Sequence, residues 1–246
     1  MWDDPRQLNL LAAMLALFAA AVLMWAAFAW AVRQPTFAFR EVVVTTPLAR
    51  ANRAHLESVI RNELSGTFFT LDLDRARLAL AKVPWIRDVA LRREWPQRLT
   101  VEVEEHAPLA RWNENALVNT HGETFIADFD GDLPQFNGPE GQAANVAERY
   151  AEWSALLAPI KLTPRVLGLS ARGGWEVRAT GDSGPLAIAL PKDEPAARLA
   201  RFVDAYPRTL GVLARNGTRV ERVDLRYRNG FAARIPNLRE TRARPK

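Results

Sequence analysis

The sequence contains no cysteine and only three histidines, and four of its 33 basic residues are lysine. Without cysteine the chain has no disulfide, thiolate metal site or cysteine nucleophile, and we expect no metal or cofactor. It also lacks a Gly-x-Ser-x-Gly elbow, a P-loop, a dinucleotide-binding glycine pattern and a His-Glu-x-x-His motif. These absences exclude several enzyme classes and predict a protein that is not an enzyme.

The reactive side chains that are present do not form a convincing site. The three histidines fall in a predicted helix, at a strand end and in a hairpin turn, namely His55, His106 and His121. Asp128, Asp130 and Asp132 alternate as in a calcium-binding loop, but position 139, where that loop needs Glu, is Pro. Structural roles therefore explain these residues better than catalysis or metal binding does.

The net charge of +5 and a pI near 10.0 raise the question of nucleic-acid binding. The arginines, however, are spread along the chain, and the sequence has no basic helix or aromatic RNA-stacking motif. We therefore predict no nucleic-acid partner. The basic tail, residues 236–246, is expected either to contact anionic lipid or cell-wall polymer or to be a solubilising end.

One long apolar run lies near the start of the chain. Leu10 to Val32 is 23 residues without a charge, Gly or Pro, and a helix of that length spans about 34 Å, enough to cross a bilayer. Small-x-small triplets at residues 27–31 also fit a cleavable signal peptide, which stays an alternative. We favour an uncleaved anchor because the run exceeds a usual signal core and its leading residues are not basic. The charge bias alone does not orient it.

The segment after the anchor has the pattern strand, helix, helix, strand, strand. Asn52 is a candidate N-cap for the first helix, either Asp72 or Asp74 begins the second, and Pro84 ends it. The last strand alternates apolar and polar residues, which is typical of a half-buried strand. The predicted elements are residues 41–45, 52–64, 72–83, 86–94 and 98–105, with a turn at Trp95-Pro96-Gln97.

Residues 108–235 are predicted to be mostly strands. The strands are 117–119, 124–126, 166–170, 175–179, 186–190, 220–227 and 231–235, the helices are 143–157 and 194–206, and 133–141 is a loop. Asn229-Gly230 suits a type I′ turn, and Pro236 ends the last strand. That strand therefore belongs at a sheet edge, where its unpaired backbone groups could accept a strand from another chain. Alternatively, Tyr227 and Phe231 are core residues, and Asn229-Gly230 is only a turn.

Several short motifs follow the anchor in a set order. They are Pro84-Trp85-Ile86, Val89-x-x-Arg92-Arg93-x-Trp95-Pro96-x-x-Leu99-x-Val101, Glu105-x-x-Pro108-x-Ala110-Arg111-Trp112-Asn113, Gly122-Glu123-Thr124-Phe125, Leu133-Pro134, Gly138-Pro139-Glu140-Gly141, Arg198-Leu199-Ala200-Arg201-Phe202-Val203, Tyr206-Pro207 and Val223-Asp224-Leu225-Arg226-Tyr227. Each is weak alone. Together, from about Leu10 to Ile235, the chain resembles the FtsQ/DivIB family of bacterial division proteins.

The resemblance implies an α+β protein that serves as a non-enzymatic scaffold of the inner membrane at the division septum. Its parts would be a cytoplasmic end (1–9), a transmembrane helix (10–32), a β-α-α-β-β POTRA domain (37–107), a mostly antiparallel β domain with two flanking helices (108–235) and the basic tail. The N-terminus would be cytoplasmic and the two domains periplasmic. It would bind FtsB and FtsL, with FtsK and FtsW/FtsI as further partners, and help control septal wall synthesis.

In the family, the FtsB partner adds a strand to the edge near the carboxyl end. Carried over by position, the binding residues would be Arg172, Arg226, Tyr227, Asn229, Gly230, Phe231, Ala233 and Ile235. Ile235 departs from the pattern, in which this position is Trp. Two other function classes remain as alternatives. One is a POTRA component of outer-membrane protein assembly or transport, and the other is a wall hydrolase or transferase.

Overall fold

The computed structural model describes residues 5–64 and 66–236, so residues 1–4 of the predicted cytoplasmic end and 237–246 of the basic tail lie outside it. The chain divides into two compact units between Glu105 and His106. The first unit contains a long N-terminal helix and a three-stranded sheet, and the second contains a nine-stranded sheet with helices. This is the α+β class expected from the sequence.

Helix α1 runs from Pro5 to Ala31. Its segment Asn9–Ala31, of 23 residues, is the one helix in the described part of the chain that is long and apolar enough to cross a membrane. Its large apolar side chains are exposed, as a lipid-facing helix requires, because the described protein offers them nothing to pack against. A 3-10 turn at Pro35–Phe37 leads from this helix into the first sheet.

The first sheet has the order β1-β3-β2, with β1 parallel to β3 and β2 antiparallel to it. Asn52 caps α2 by accepting a hydrogen bond from the His55 N–H, and Asp72 caps α3 in the same way from Arg75. The elements are β1 Glu41–Val44, α2 Arg53–Glu63, α3 Leu73–Leu80, β2 Ile86–Glu94 and β3 Arg98–Glu105. The predicted strand, helix, helix, strand, strand pattern is therefore confirmed.

The second unit is built on one mixed sheet with the order β12-β11-β10-β9-β8-β7-β4-β5-β6. Five of its eight strand pairings are antiparallel. The strands are β4 Pro108–Trp112, β5 Ala116–Asn119, β6 Thr124–Phe125, β7 Gln135–Asn137, β8 Thr163–Leu169, β9 Trp175–Gly181, β10 Gly184–Leu190, β11 Arg222–Asp224 and β12 Ala232–Arg234; the helices are α4 Ala143–Leu157, α5 Pro195–Ala205 and α6 Leu210–Arg215.

Helices α4 and α5 cover one face of this sheet. Trp153 of α4 is fully buried and meets the Trp175 ring edge-on at 5.0 Å, while Phe202 of α5 joins the same core. Alternate strand residues such as Val177 and Ile188 point into that core, because successive strand side chains face opposite sides. Glu176 and Arg178 occupy the other face, which stays polar and open.

Several element predictions were wrong. The predicted strand 220–227 is only Arg222–Asp224, the last strand is Ala232–Arg234, and seven residues connect them. Neither Asn229 nor Gly230 has a positive φ, so there is no type I′ turn at that dipeptide. The region 133–141 is not all loop, because it contains β7, and the sequence interpretation also missed β4 and α6.

Candidate protein-binding edge

The last strand, β12, lies at the end of the nine-stranded sheet. It pairs with β11 in the register Arg222↔Arg234, Val223↔Ala233 and Asp224↔Ala232, and no strand in residues 5–64 or 66–236 pairs with its other side. All three β12 residues are exposed. The sequence expectation of an edge strand at this end is therefore confirmed.

The direction of the backbone groups at this edge follows from one hydrogen bond. The Glu221 N–H donates to the Arg234 carbonyl at 3.0 Å, so the backbone of Arg234 faces β11. Because neighbouring residues of an antiparallel strand direct their N–H and C=O groups to opposite sides, the backbone of Ala233 faces away from β11. Of the predicted binding residues, Ala233 is thus the one within β12, and its backbone groups lie on the open side.

The connection from β11 to β12 is held by the α5 side chain Arg198. Its Nη1 donates to the Tyr227 carbonyl and, at 3.5 Å, to the Leu225 carbonyl, and its Nε is buried without a described partner. The Leu225 N–H also donates to the Ala189 carbonyl at 2.8 Å, which ties the connection to β10. These hydrogen bonds, rather than a tight turn at Asn229-Gly230, hold the connection between the two strands.

The connection lines a cavity of about 290 Å³ against α5, in which Tyr227, Asn229, Gly230 and Phe231 all take part. Phe231 is half-buried and its ring meets that of Phe202 edge-on at 5.6 Å. Tyr227 is 60% exposed, so it is not a core residue. The alternative that both residues belong to the core is therefore wrong for Tyr227 and right for Phe231, which packs on the core.

Arg226 lies two residues after the end of β11 and is held by Asp224, the last residue of that strand. Its Nε and Nη2 donate to both oxygens of the Asp224 carboxylate, with distances of 2.6 to 3.1 Å. The hydrogen bond from Arg226 lowers the pKa of the Asp224 carboxyl below its usual range. The Arg226 guanidinium stays exposed and charged, and its hydrogen bonds to Asp224 fix its position.

Arg172 lies in the turn between β8 and β9, where it is exposed. Leu190 pairs with Trp175 and Ala189 pairs with Asp224, so the start of β9 and the end of β11 lie at the same end of the sheet. A groove of about 390 Å³ on the open face is lined both by Ser170 and Gly174 of that turn and by Arg226. The structure thus brings Arg172 to the same end of the sheet as Arg226 and the connection that follows it, whereas Ile235 comes after Arg234, which pairs with Arg222 at the other end of β11.

Three residues that position this edge had no such role in the sequence interpretation: Arg198, Phe202 and Asp224. Their contacts join positions 20 to 30 residues apart, or form across the end of a strand, and spacing does not reveal such contacts. The motif that begins at Arg198 was visible, and Phe202 was expected to point inward. The hydrogen bonds from Arg198 to carbonyls beyond the end of β11, however, depend on the tertiary fold, so the sequence alone does not reveal them.

In the described part of the chain, no group of three or more His, Asp and Glu side chains could hold a metal ion. His106 instead stacks on Phe125 with ring centroids 4.0 Å apart, and its Nδ1 lies 3.0 Å from the Asn119 side-chain nitrogen. That histidine therefore has the structural role that the sequence favoured.

Comparison with known proteins matches both units. The family model described as "POTRA domain, FtsQ-type" matches residues 37–106, and "Cell division protein FtsQ/DivIB, C-terminal" matches residues 110–226. A cell division protein FtsQ from Burkholderia pseudomallei is 39% identical over 243 residues, covering 97% of this chain and 96% of that protein. The FtsQ of Bordetella pertussis is 39% identical over 259 aligned positions, with 97% and 94% coverage. That of Nitrosospira multiformis is 35% identical, with 95% and 99% coverage.

Proposed function

The chain belongs to the FtsQ/DivIB family of cell division proteins, and from that membership we propose that it is a non-enzymatic scaffold of the division apparatus. It binds the small bitopic proteins FtsB and FtsL through its C-terminal edge. Through them it helps recruit and control septal wall synthesis, with FtsK and FtsW/FtsI as further contacts. The anchor sits in the inner membrane, the amino terminus is cytoplasmic and both units are periplasmic at the septum.

The observation that carries this proposal is the open side of β12. The strand is exposed, it has one described neighbour, and the backbone of Ala233 faces away from that neighbour. A partner strand can add here through backbone hydrogen bonds, each with a net contribution of about 1 kcal/mol. Affinity from so short a strand needs side-chain contacts as well, and Tyr227 and Arg226 supply exposed aromatic and charged groups beside it.

The test is to remove the outward N–H of Ala233 without disturbing the β11 ladder. In Ala233→Pro this donor is lost, and Pro is tolerated on an edge strand where the N–H faces solvent. The matched control Ala233→Ser keeps the N–H. Binding of the periplasmic segment of FtsB to the full chain in nanodiscs should weaken at least tenfold for the Pro variant only, which is about 1.4 kcal/mol.

A second variant tests the side-chain part of the same surface. Tyr227→Ala removes an exposed ring and should also weaken FtsB binding about tenfold, because exposed aromatic side chains often dominate interfaces. Circular dichroism and urea unfolding should match the wild type for both variants. Unchanged binding by folded Ala233→Pro and Tyr227→Ala would refute strand addition at this edge.

A further inference from the structure

Five aromatic side chains of the first unit gather near the point where the chain leaves α1. The centroid of the Phe69 ring lies 5.3 Å from those of both Phe37 and Phe68, and the Phe68 centroid lies 5.6 Å from that of Trp95 and 6.1 Å from that of Phe39. We call Phe37, Phe39, Phe68, Phe69 and Trp95 the aromatic collar. These rings come from three separate stretches of sequence that the fold brings together.

The collar is not a closed core. Phe69 is 51% exposed and Trp95 68% exposed, whereas the other three rings are half-buried beneath them. These two large rings, which both contact Phe68 and are left in water, lose the benefit of burial, which is about 1.5 to 3 kcal/mol for a fully buried apolar side chain. A clustered exposed apolar patch of this kind marks a contact surface.

Hydrogen bonds tie the collar to the point where the chain leaves the membrane helix. The Thr67 hydroxyl donates to the Val32 carbonyl at 2.7 Å, and the Phe68 N–H donates to the Phe37 carbonyl at 2.7 Å. Val32 is the residue that follows the span Asn9–Ala31. The loop that carries Phe68 and Phe69 therefore lies beside the membrane exit, where each headgroup layer is about 5 to 8 Å thick.

The charges near the collar fit the same surroundings. Arg33 and Arg40 flank its first segment, are exposed, and form no ion pair within the described part of the chain. Aromatic rings favour the membrane–water interface, and arginines there attract anionic lipid phosphates. We propose that the aromatic collar inserts into the headgroup layer of the bilayer that α1 crosses, so that the first unit contacts the lipid at a second point.

The absence of cysteine makes a direct test possible, because one introduced thiol can carry a single nitroxide label. The full chain with Phe69→Cys is labelled and reconstituted into vesicles of phosphatidylcholine, alone or with a quarter phosphatidylglycerol. Leu78→Cys is the control, because Leu78 is 68% exposed in the same unit. It lies on α3, six residues or about 9 Å along the helix axis from the N-cap residue Asp72. Collision with oxygen and with a water-soluble nickel complex reports the immersion of each label.

We expect the Phe69 label to be several-fold less accessible to the nickel complex than the Leu78 label, at all protein-to-lipid ratios. Protection in both lipids supports insertion through the rings, and protection only with phosphatidylglycerol supports insertion that also needs the arginines. Equal accessibility of the two labels overturns the proposal. Protection that disappears on dilution in lipid indicates a second copy of the chain and overturns it too.

A label at Trp95 repeats the measurement from another strand end, so that a local disturbance at position 69 does not decide the outcome. Circular dichroism of each labelled protein confirms the fold. The proposal needs α1 to cross the membrane, but it does not need partner binding at β12. Its failure would therefore leave the proposed strand addition untouched, and the reverse is also true.

Discussion

The two edge strands of the nine-stranded sheet, β6 and β12, differ in how far their outer sides are protected from other chains. At one edge, β6 is two residues long, and Phe125 within it is covered by the stacked His106 ring. The turn before it is fixed by the buried Asn119, whose side chain bonds both Glu123 and the His121 N–H. At the other edge, β12 is exposed along its length and is held from one end by Arg198.

The difference shows how one sheet protects the backbone of one edge strand and leaves the other edge strand exposed. A very short edge strand offers few unpaired backbone groups, which is a known protection against unwanted pairing. At β6 the polar contacts lie within the turn, so they use up the local donors and acceptors. At β12 the positioning contacts lie before the strand, so they order it without occupying its outer side.

The largest effect is expected from breaking the closed edge. In Asn119→Ala the N–H groups of His121 and Glu123 lose their side-chain acceptor in a partly buried place, and each lost bond of this kind costs about 1 to 2 kcal/mol. We expect the free energy of unfolding to fall by about 2 to 4 kcal/mol, measured by urea denaturation. FtsB binding by the folded protein should stay unchanged.

Asn145→Ala is the matched control, because within residues 5–64 and 66–236 this half-buried side chain bonds only the Gln142 side chain, at 3.1 Å. Its unfolding free energy should stay within about 0.5 kcal/mol of the wild type. If Asn119→Ala were as stable as this control, the polar cluster would not be what closes the β6 edge.

A smaller loss of stability, with a clear loss of binding, is expected from releasing the open edge. Arg198→Met keeps the length of the side chain but removes the bonds to the Tyr227 and Leu225 carbonyls. Stability should fall by about 1 to 2 kcal/mol, and FtsB binding should weaken about tenfold because the edge is no longer held in place. Arg208→Met, exposed just after α5 and outside the cavity at this edge, should change neither quantity. Equal behaviour of the two variants would contradict the positioning role of Arg198.

The smallest effect concerns pH at the open edge. Because Arg226 lowers the pKa of Asp224 in the folded state, the stability from this pair is present above the unfolded pKa, near 3.9, and is lost as the pH falls through the folded pKa. Both groups lie near the surface, so we expect less than about 1 kcal/mol. Wild type should be slightly more stable than Asp224→Asn at pH 7, and this difference should shrink as the pH falls below about 3.9. A difference that is constant with pH would show that the charge pair is not its cause.

The sequence predicted best where the signal is local. The bounds of β2, β3 and α4 agree with the predicted 86–94, 98–105 and 143–157, because alternation and helical spacing run uninterrupted through them. Three-residue strands such as β7 and β11 carry too few residues for a period. Their ends are set by neighbouring strands and by distant side chains, as Arg198 does at Tyr227.

The same limit applies to the candidate site. Its strand edge and its exposed tyrosine could be predicted from Pro236 and from family motifs. The outward direction of the Ala233 backbone could not, because it depends on the pairing of Arg234 with the β11 side. A turn dipeptide alone, such as Asn229-Gly230, says little when the chain around it is held by a helix side chain.

The apolar helix α1 affects how tightly the short edge strand β12 must bind a partner. The three residues of β12 can form only a few bonds with an added strand, and free in solution such a contact would be weak. The helix Asn9–Ala31, however, is long and apolar enough to hold this chain in a bilayer. A partner anchored in the same bilayer meets the edge at an effective concentration that tethering can raise to the millimolar range. When both proteins are anchored in one bilayer, a small contact that would dissociate readily in solution can thus stay occupied for most of the time.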